Sequence, residues 1–156
     1  HARLILLRLE LQDLAAPDHL VADGDLRDLA DALRVDQAAF DSFWRFDRTA
    51  LLEAVQATAR RSIHLVRRPG GGLAGFAITG RGGPLAYLQR VAVDPAWQGR
   101  GLGRSLVRAS AAWAQGQGCS ALLLNTAEGN GAAAALYASE GFRTVTRDLA
   151  VLARHA

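Results

Sequence analysis

The chain has 156 residues, 50% of them apolar and 21% charged, the balance of a folded globular domain rather than of a disordered or fibrous segment. All eighteen basic side chains are arginine, and a chain without lysine excludes a Walker A phosphate loop, a pyridoxal Schiff base and a protein-kinase ATP site. Cys119 is the sole cysteine, which excludes an internal disulfide and a cysteine zinc cage. With no apolar run of membrane length and no metal-ligand spacing around His19 or His64, the expectation is a metal-free, cytoplasmic protein outside the membrane.

The net charge of +3 is unevenly spread: residues 18–47 hold eight Asp against three Arg, and the rest holds fifteen Arg against seven acids. The arginines are dispersed, so nucleic acid is a disfavoured partner. Leu4 to Glu10 reads as a buried first strand. Pro17 breaks it, and Leu26, Leu29, Ala30 and Leu33 form a helical stripe that Asp25 can cap. Asp47 can cap a second helix with an inner face of Leu51, Leu52 and Val55. Between the two lies an aromatic connection of Phe40, Phe43, Trp44 and Phe46.

Ser62 to Arg67, Leu73 to Thr79 and Leu85 to Val93 read as three antiparallel strands joined by turns at Pro69–Gly72 and Arg81–Pro84. From Gly101 to about Gln117, Leu102, Leu106, Ala109 and Trp113 recur at helical spacing, and Gly116 and Gly118 stop the helix. An apolar strand Ala121 to Thr126, a short helix from Ala132 to about Ser139 and one or two strands ending near Leu152 complete a single domain, 1–156. The order β-α-α-β-β-β-α-β-α-β(-β) predicts an α/β (α+β) fold with a mixed sheet. Few residues follow Phe142, so a terminal hairpin barely fits. Strand exchange in a homodimer is one way to complete it.

Two glycine clusters look capable of holding a phosphate. Gly70, Gly72 and Gly75 match G-x-G-x-x-G, but the residues after them continue a strand, whereas a dinucleotide fingerprint must open a helix. Gln98, Gly99, Arg100, Gly101, Leu102, Gly103 and Arg104 follow a strand and enter an amphipathic helix. Glycines there let a phosphate approach the backbone, and the first-turn amides are unpaired donors. Downstream, Ala133, Leu136 and Tyr137 share one helix face and Gly141 closes the helix.

Val91, Ala92, Val93, Asp94 and Pro95, followed by Gln98–Gly103 as Q-x-x-G-x-G, together with Asn130–Phe142 as N-x-x-A-x-x-L-Y-x-x-x-G-F, resemble the two signature blocks of the GNAT acetyltransferase superfamily. The resemblance is sharp over residues 85–142, and the N-terminal third carries no motif. It implies a central sheet whose fourth and fifth strands splay to admit the pantetheine arm of acetyl-CoA. It further implies that Val91, Ala92 and Val93 meet that arm, that Gln98 to Arg104 meet the pyrophosphate, and that Asn130 also touches the cofactor. Tyr137 would lie near the thioester sulfur as general acid.

From spacing alone, Tyr137 could equally be a half-buried aromatic and Asn130 a helix cap. Many relatives carry a glutamate on the fourth strand, where this chain has Gln89 instead. Glu128, or water relayed through Asn125, Thr126 or a strand carbonyl, can accept the amine proton, and loss of that proton to solvent before transfer is a further route. The expected activity is transfer of an acetyl group to a primary amine: a small molecule, a peptide N-terminus or a lysine. The alternatives are an acyl-CoA-binding module without turnover and an acetyltransferase directed to the ribosome or nucleic acid. Asp41, Phe43, Trp44 and Asn125 are the candidate acceptor-binding residues, with the Asp-rich segment facing a cationic amine.

Overall fold

The computed structural model describes residues 2–151. Three apolar runs that the chain reverses at glycine turns make the antiparallel series β3 (Arg60–Arg67), β4 (Leu73–Gly82) and β5 (Leu85–Val93). Gly70, Gly71 and Gly72 all have positive φ, and Arg68 N donates to Gly72 O at 2.9 Å, so the first glycine cluster is a hairpin turn leading into β4. β4 is buried through Gly80, as a strand covered on both faces must be.

The crossover helix α3 (Leu102–Gly116) returns the chain to β6 (Ala121–Ala127), which pairs parallel with β5. α4 (Gly131–Ser139) and β7 (Arg143–Val151) follow. Ahead of the series stand β1 (Ala2–Glu10), α1 (Leu29–Ala39), α2 (Arg48–Gln56) and an unexpected two-residue strand, β2 (Ala22–Asp23), beside β3. The expected fourth and fifth strands are therefore β5 and β6 here, and the expected end near Leu152 lies just outside the described residues.

The seven-stranded sheet has the order β2-β3-β4-β5-β6-β1-β7. β1 does not open the sheet at an edge: it lies between β6 and β7 and is antiparallel to both. A single strand follows α4 among the described residues, and β1 supplies its neighbour. Two apolar clusters flank the sheet. α3, Tyr137 and Phe142 cover one face with Leu88, Leu122 and Leu124, and α1 and α2 cover the other with Leu65, Phe76 and Ile78. Each fully buried Leu, Val or Phe contributes about 1.5–3 kcal/mol.

The caps read from sequence are present. Asp25 forms a capping box with Asp28 ahead of α1, on a 3-10 turn at Leu26–Asp28, and Asp47 Oδ1 accepts from Ala50 N at 2.7 Å.

Candidate active site

The site begins with a defect in β5. Ile78 pairs with Arg90 and Thr79 with Leu88, so Gln89 is an extra residue, a β-bulge. A bulge bends its strand and reverses the alternation of side chains beyond it. Leu88 faces the α3 side, yet Val91 and Val93 also pack on that side, while Arg90 and Ala92 face α1. The parallel ladder to β6 stops where the bulge begins: Leu85, Ala86 and Tyr87 pair with Ala121, Leu122 and Leu123, and the next residues of β5 have no β6 partner. β5 and β6 thus separate toward their C-terminal ends, as the resemblance implied.

At that open end, Gly99 (φ 79°) and Gly101 (φ 83°) take left-handed conformations to turn the chain from β5 into α3. The backbone amides of Gly99 through Arg104 donate to none of the described residues. They form a run of donors at a helix N-terminus, where the dipole favours an anion. Gly103 is informative about fit. A Cβ there would lie 3.6 Å from Leu136 and 3.7 Å from Val93, at ordinary contact distance. The protein's own packing leaves room for a methyl at this point between β5 and α4 and so does not itself demand glycine. Gln98 Nε2 donates to Val93 O at 2.9 Å and fixes the loop to the end of β5.

Tyr137 lies on the inner face of α4, buried, with its ring edge-on to Phe142 at 5.5 Å. Burial pushes its phenol up to about 12. Its hydroxyl makes no hydrogen bond to a described residue. Asn130 caps α4, its Oδ1 accepting from Ala133 N at 3.4 Å. Asn125 is exposed and alternates with Leu124 and Thr126, so it projects to the face opposite α3. Glu128 is exposed in the loop after β6, its amide bound to Arg3 O at 2.9 Å. No hydrogen bond links Tyr137 to either residue.

The aromatic connection divides into two pairs. Arg90 is sandwiched between the rings of Phe40 and Phe46, 3.7 Å from each centroid. Its guanidinium donates to both carboxylate oxygens of the fully buried Asp36, at 2.6 and 3.1 Å, and to Trp44 O at 2.6 Å. Asp36 also accepts from Phe46 N at 2.8 Å. Phe43 and Trp44 pack edge-to-face at 4.8 Å on the outer side of this knot, and Phe43 is exposed. Asp41 Oδ1 accepts from the amides of Phe43 and Trp44. Sequence reasoning missed Arg90 and Asp36. The only sign of them was a polar pair, Gln89 and Arg90, interrupting an apolar strand.

The Asp-rich segment is largely spent on its own architecture. Asp25, Asp28, Asp31 and Asp36 engage arginines, and Asp41 and Asp47 cap turns. On the cofactor side, Arg104 reaches back to Ser139 and Glu140 rather than into the open end, and Arg108 shares Glu140. Arg108 first and then Arg104 hold the Glu140 carboxyl below the usual range. Arg100 stacks on Trp97 at 4.6 Å. No group of metal-ligating side chains occurs among the described residues.

The chain as a whole resembles known proteins. The family model "Acetyltransferase (GNAT) family" matches residues 27–142, and the chain belongs to that family. It is 43% identical over 75 residues to the N-alpha-acetyltransferase RimI of Mycobacterium tuberculosis, covering 47% of this chain and 46% of that protein. It is 40% identical over 70 residues to the mycothiol acetyltransferase of Thermobispora bispora, 45% of this chain and 24% of that protein. The chain thus spans about half the length of one of these relatives and about a quarter of the other. The structure of the ribosomal-protein-S18-alanine N-acetyltransferase from Escherichia coli superposes with a TM-score of 0.73 at 29% identity, over 81% of this chain and 79% of that one.

Proposed function

We propose that this chain is an acetyl-CoA-dependent N-acetyltransferase whose acceptor is a primary amine, with a peptide N-terminus as the first candidate. The observation that carries the reading is the opening of β5 from β6 directly beside the unpaired amides of Gly99–Arg104. The free edge of β5 at Val91 to Val93 would take the pantetheine amides as an added strand does, and the Gln98–Arg104 backbone would take the pyrophosphate. The bound thioester supplies the activated acyl group. Asn130, already a cap, borders the same end.

Tyr137 would act at the departing sulfur. A phenol near 12 stays protonated throughout the neutral range, so it can only donate. Full transfer to a thiolate of ordinary basicity, about 8.5, is uphill. Its main contribution is therefore a hydrogen bond to the developing negative charge, with the proton lost by the amine ending on the thiol. Glu128, or water held at Asn125, would take the amine proton and release it to solvent, from which the departing thiolate is reprotonated. Asn125, Phe43, Trp44 and Asp41 lie on the α1 and α2 side and would form the acceptor wall.

The peptide acceptor is favoured because one relative is named an N-alpha-acetyltransferase and one similar structure a ribosomal-protein-S18-alanine N-acetyltransferase. The likeness to mycothiol acetyltransferase keeps a small-molecule amine as the second reading. The test follows thiol release from acetyl-CoA with peptides of varied N-terminal residue and with a panel of small amines. The lysine-free chain has no side-chain amine of its own to acetylate. Peptide-dependent release is expected. Release with small amines alone would move the assignment to the second reading, and tight CoA binding with no turnover on any acceptor would make the chain a binding module.

A further inference from the structure

The segment between β1 and β2 crosses the outer surface of α3, and polar fixings hold it there. Gln115 Nε2 donates to Leu11 O at 3.0 Å, and Arg108 donates to Ala16 O at 3.1 Å and approaches Asp18 at 3.8 Å. Beneath the segment is a depression of about 190 Å³ bordered by Leu14, Val107 and Ala111, and Leu11, Leu14 and Val21 pack against the core around it. Its far end is held at one residue. His19 N donates to the buried hydroxyl of Ser105 at 3.1 Å, and His19 Nε2 lies 2.7 Å from Arg100 O. A carbonyl only accepts, so Nε2 carries the hydrogen in this contact.

Arg100 lies between Gly99 and Gly101, the two residues whose left-handed backbone shapes the loop. Glycine at such positions leaves a free loop many alternatives, and a bond to the carbonyl between them removes most of these. We propose that His19 is a positioning residue of the cofactor site, its imidazole and amide locking the Gly99–Arg104 amides toward the pyrophosphate. The proposal rests on the acetyl-CoA reading and adds to it a residue outside both signature blocks.

The test compares wild type, His19→Ala and His19→Gln for acetyl-CoA affinity by calorimetry and for acetyl-pantetheine, which lacks the pyrophosphate, by NMR titration. Thermal melting checks that each variant is folded. Losing one hydrogen bond of net 0.5–1.5 kcal/mol predicts about a 2- to 13-fold loss of acetyl-CoA affinity in His19→Ala. Acetyl-pantetheine binding should be unchanged, and glutamine, whose side-chain amide can donate to the same carbonyl, should recover most of the loss. Equal acetyl-CoA affinity in wild type and His19→Ala overturns the proposal, as does an equal loss for both ligands or a glutamine variant as weak as alanine. A wild-type protein that does not bind CoA would instead remove the acetyltransferase reading and this proposal with it.

Discussion

Two single-residue changes separate ligand space from fold. Gly103 has ordinary helical backbone, and a methyl there meets Leu136 and Val93 without clash. Gly103→Ala should leave stability unchanged or raise it by up to about 1 kcal/mol, because alanine is the better helix former. The same methyl fills space beside the loop amides, so acetyl-CoA affinity should fall about 10-fold or more. Urea titration and calorimetry on one preparation check both. A variant that gains stability and keeps its affinity would show that the ligand does not pass Gly103.

Tyr137 gives a second pair of outcomes. Tyr137→Phe should lower kcat about 10- to 100-fold with little change in acetyl-CoA KM, since the hydrogen bond is used at the leaving sulfur. It should also alter alkaline stability. The folded phenol titrates near 12, above its unfolded value of about 10, so between these pH values the unfolded state has lost a proton that the folded state keeps. Stability is full below pH 10 and falls as pH rises toward 12, by about 3 kcal/mol in the limit. The phenylalanine variant should lose that component of the decline, measured by urea titration at stepped pH. At this scale the sequence displayed the glycines, Asn130 and Tyr137 because they are close in the chain and fixed in spacing. It could not display His19, whose partner Arg100 is 81 residues away.

Among the elements, the connection from α1 to α2 is tied to β5 by one buried pair. Asp36 is fully buried, and removing its charge strands the Arg90 guanidinium between two aromatic rings. Breaking such a pair costs about 3–5 kcal/mol, and Asp36→Ala should show a loss of that order in urea. A double change, Asp36→Leu with Arg90→Met, should recover much of the stability, since apolar replacements of similar volume often do. It should not recover the geometry of the Phe40–Phe46 connection, because the bonds from Arg90 to Trp44 O and from Phe46 N to Asp36 are gone. Acceptor KM should therefore stay raised, as in Asp36→Ala, while stability returns. Recovery of both would show that the ion pair only fills space. Helices, caps and hairpins were legible because each follows from local pattern. The Gln89 bulge was not, since a strand's alternation continues past it with its faces exchanged and only the pairing with β4 reveals the extra residue.

Across the whole molecule, the least legible feature is the place of β1. Its apolar run announces a buried strand, but no local property states which neighbours will cover it. The structure inserts it between β6 and β7, where Leu7 pairs with Leu124 on one side and Thr144 on the other. Those contacts join the first residues of the chain to its last third, so β1 docks on β6 at a large loop-closure cost, and β7, whose one neighbour among the described residues is β1, adds only after it. Once docked, β1 is an interior strand whose backbone bonds on both edges must break together. Its central amides, from Leu6 to Leu9, should thus exchange with solvent about as slowly as those of β4, and far more slowly than those of the edge strand β2. Leu7→Ala should cost about 2–5 kcal/mol and raise exchange in β6 and β7 along with β1, because removing the strand opens both ladders. Native-state hydrogen exchange read residue by residue measures this directly. Fast exchange confined to β1, with β6 still protected, would mean that the sheet holds together without its first strand and that β1 is an addition to the fold rather than its seam.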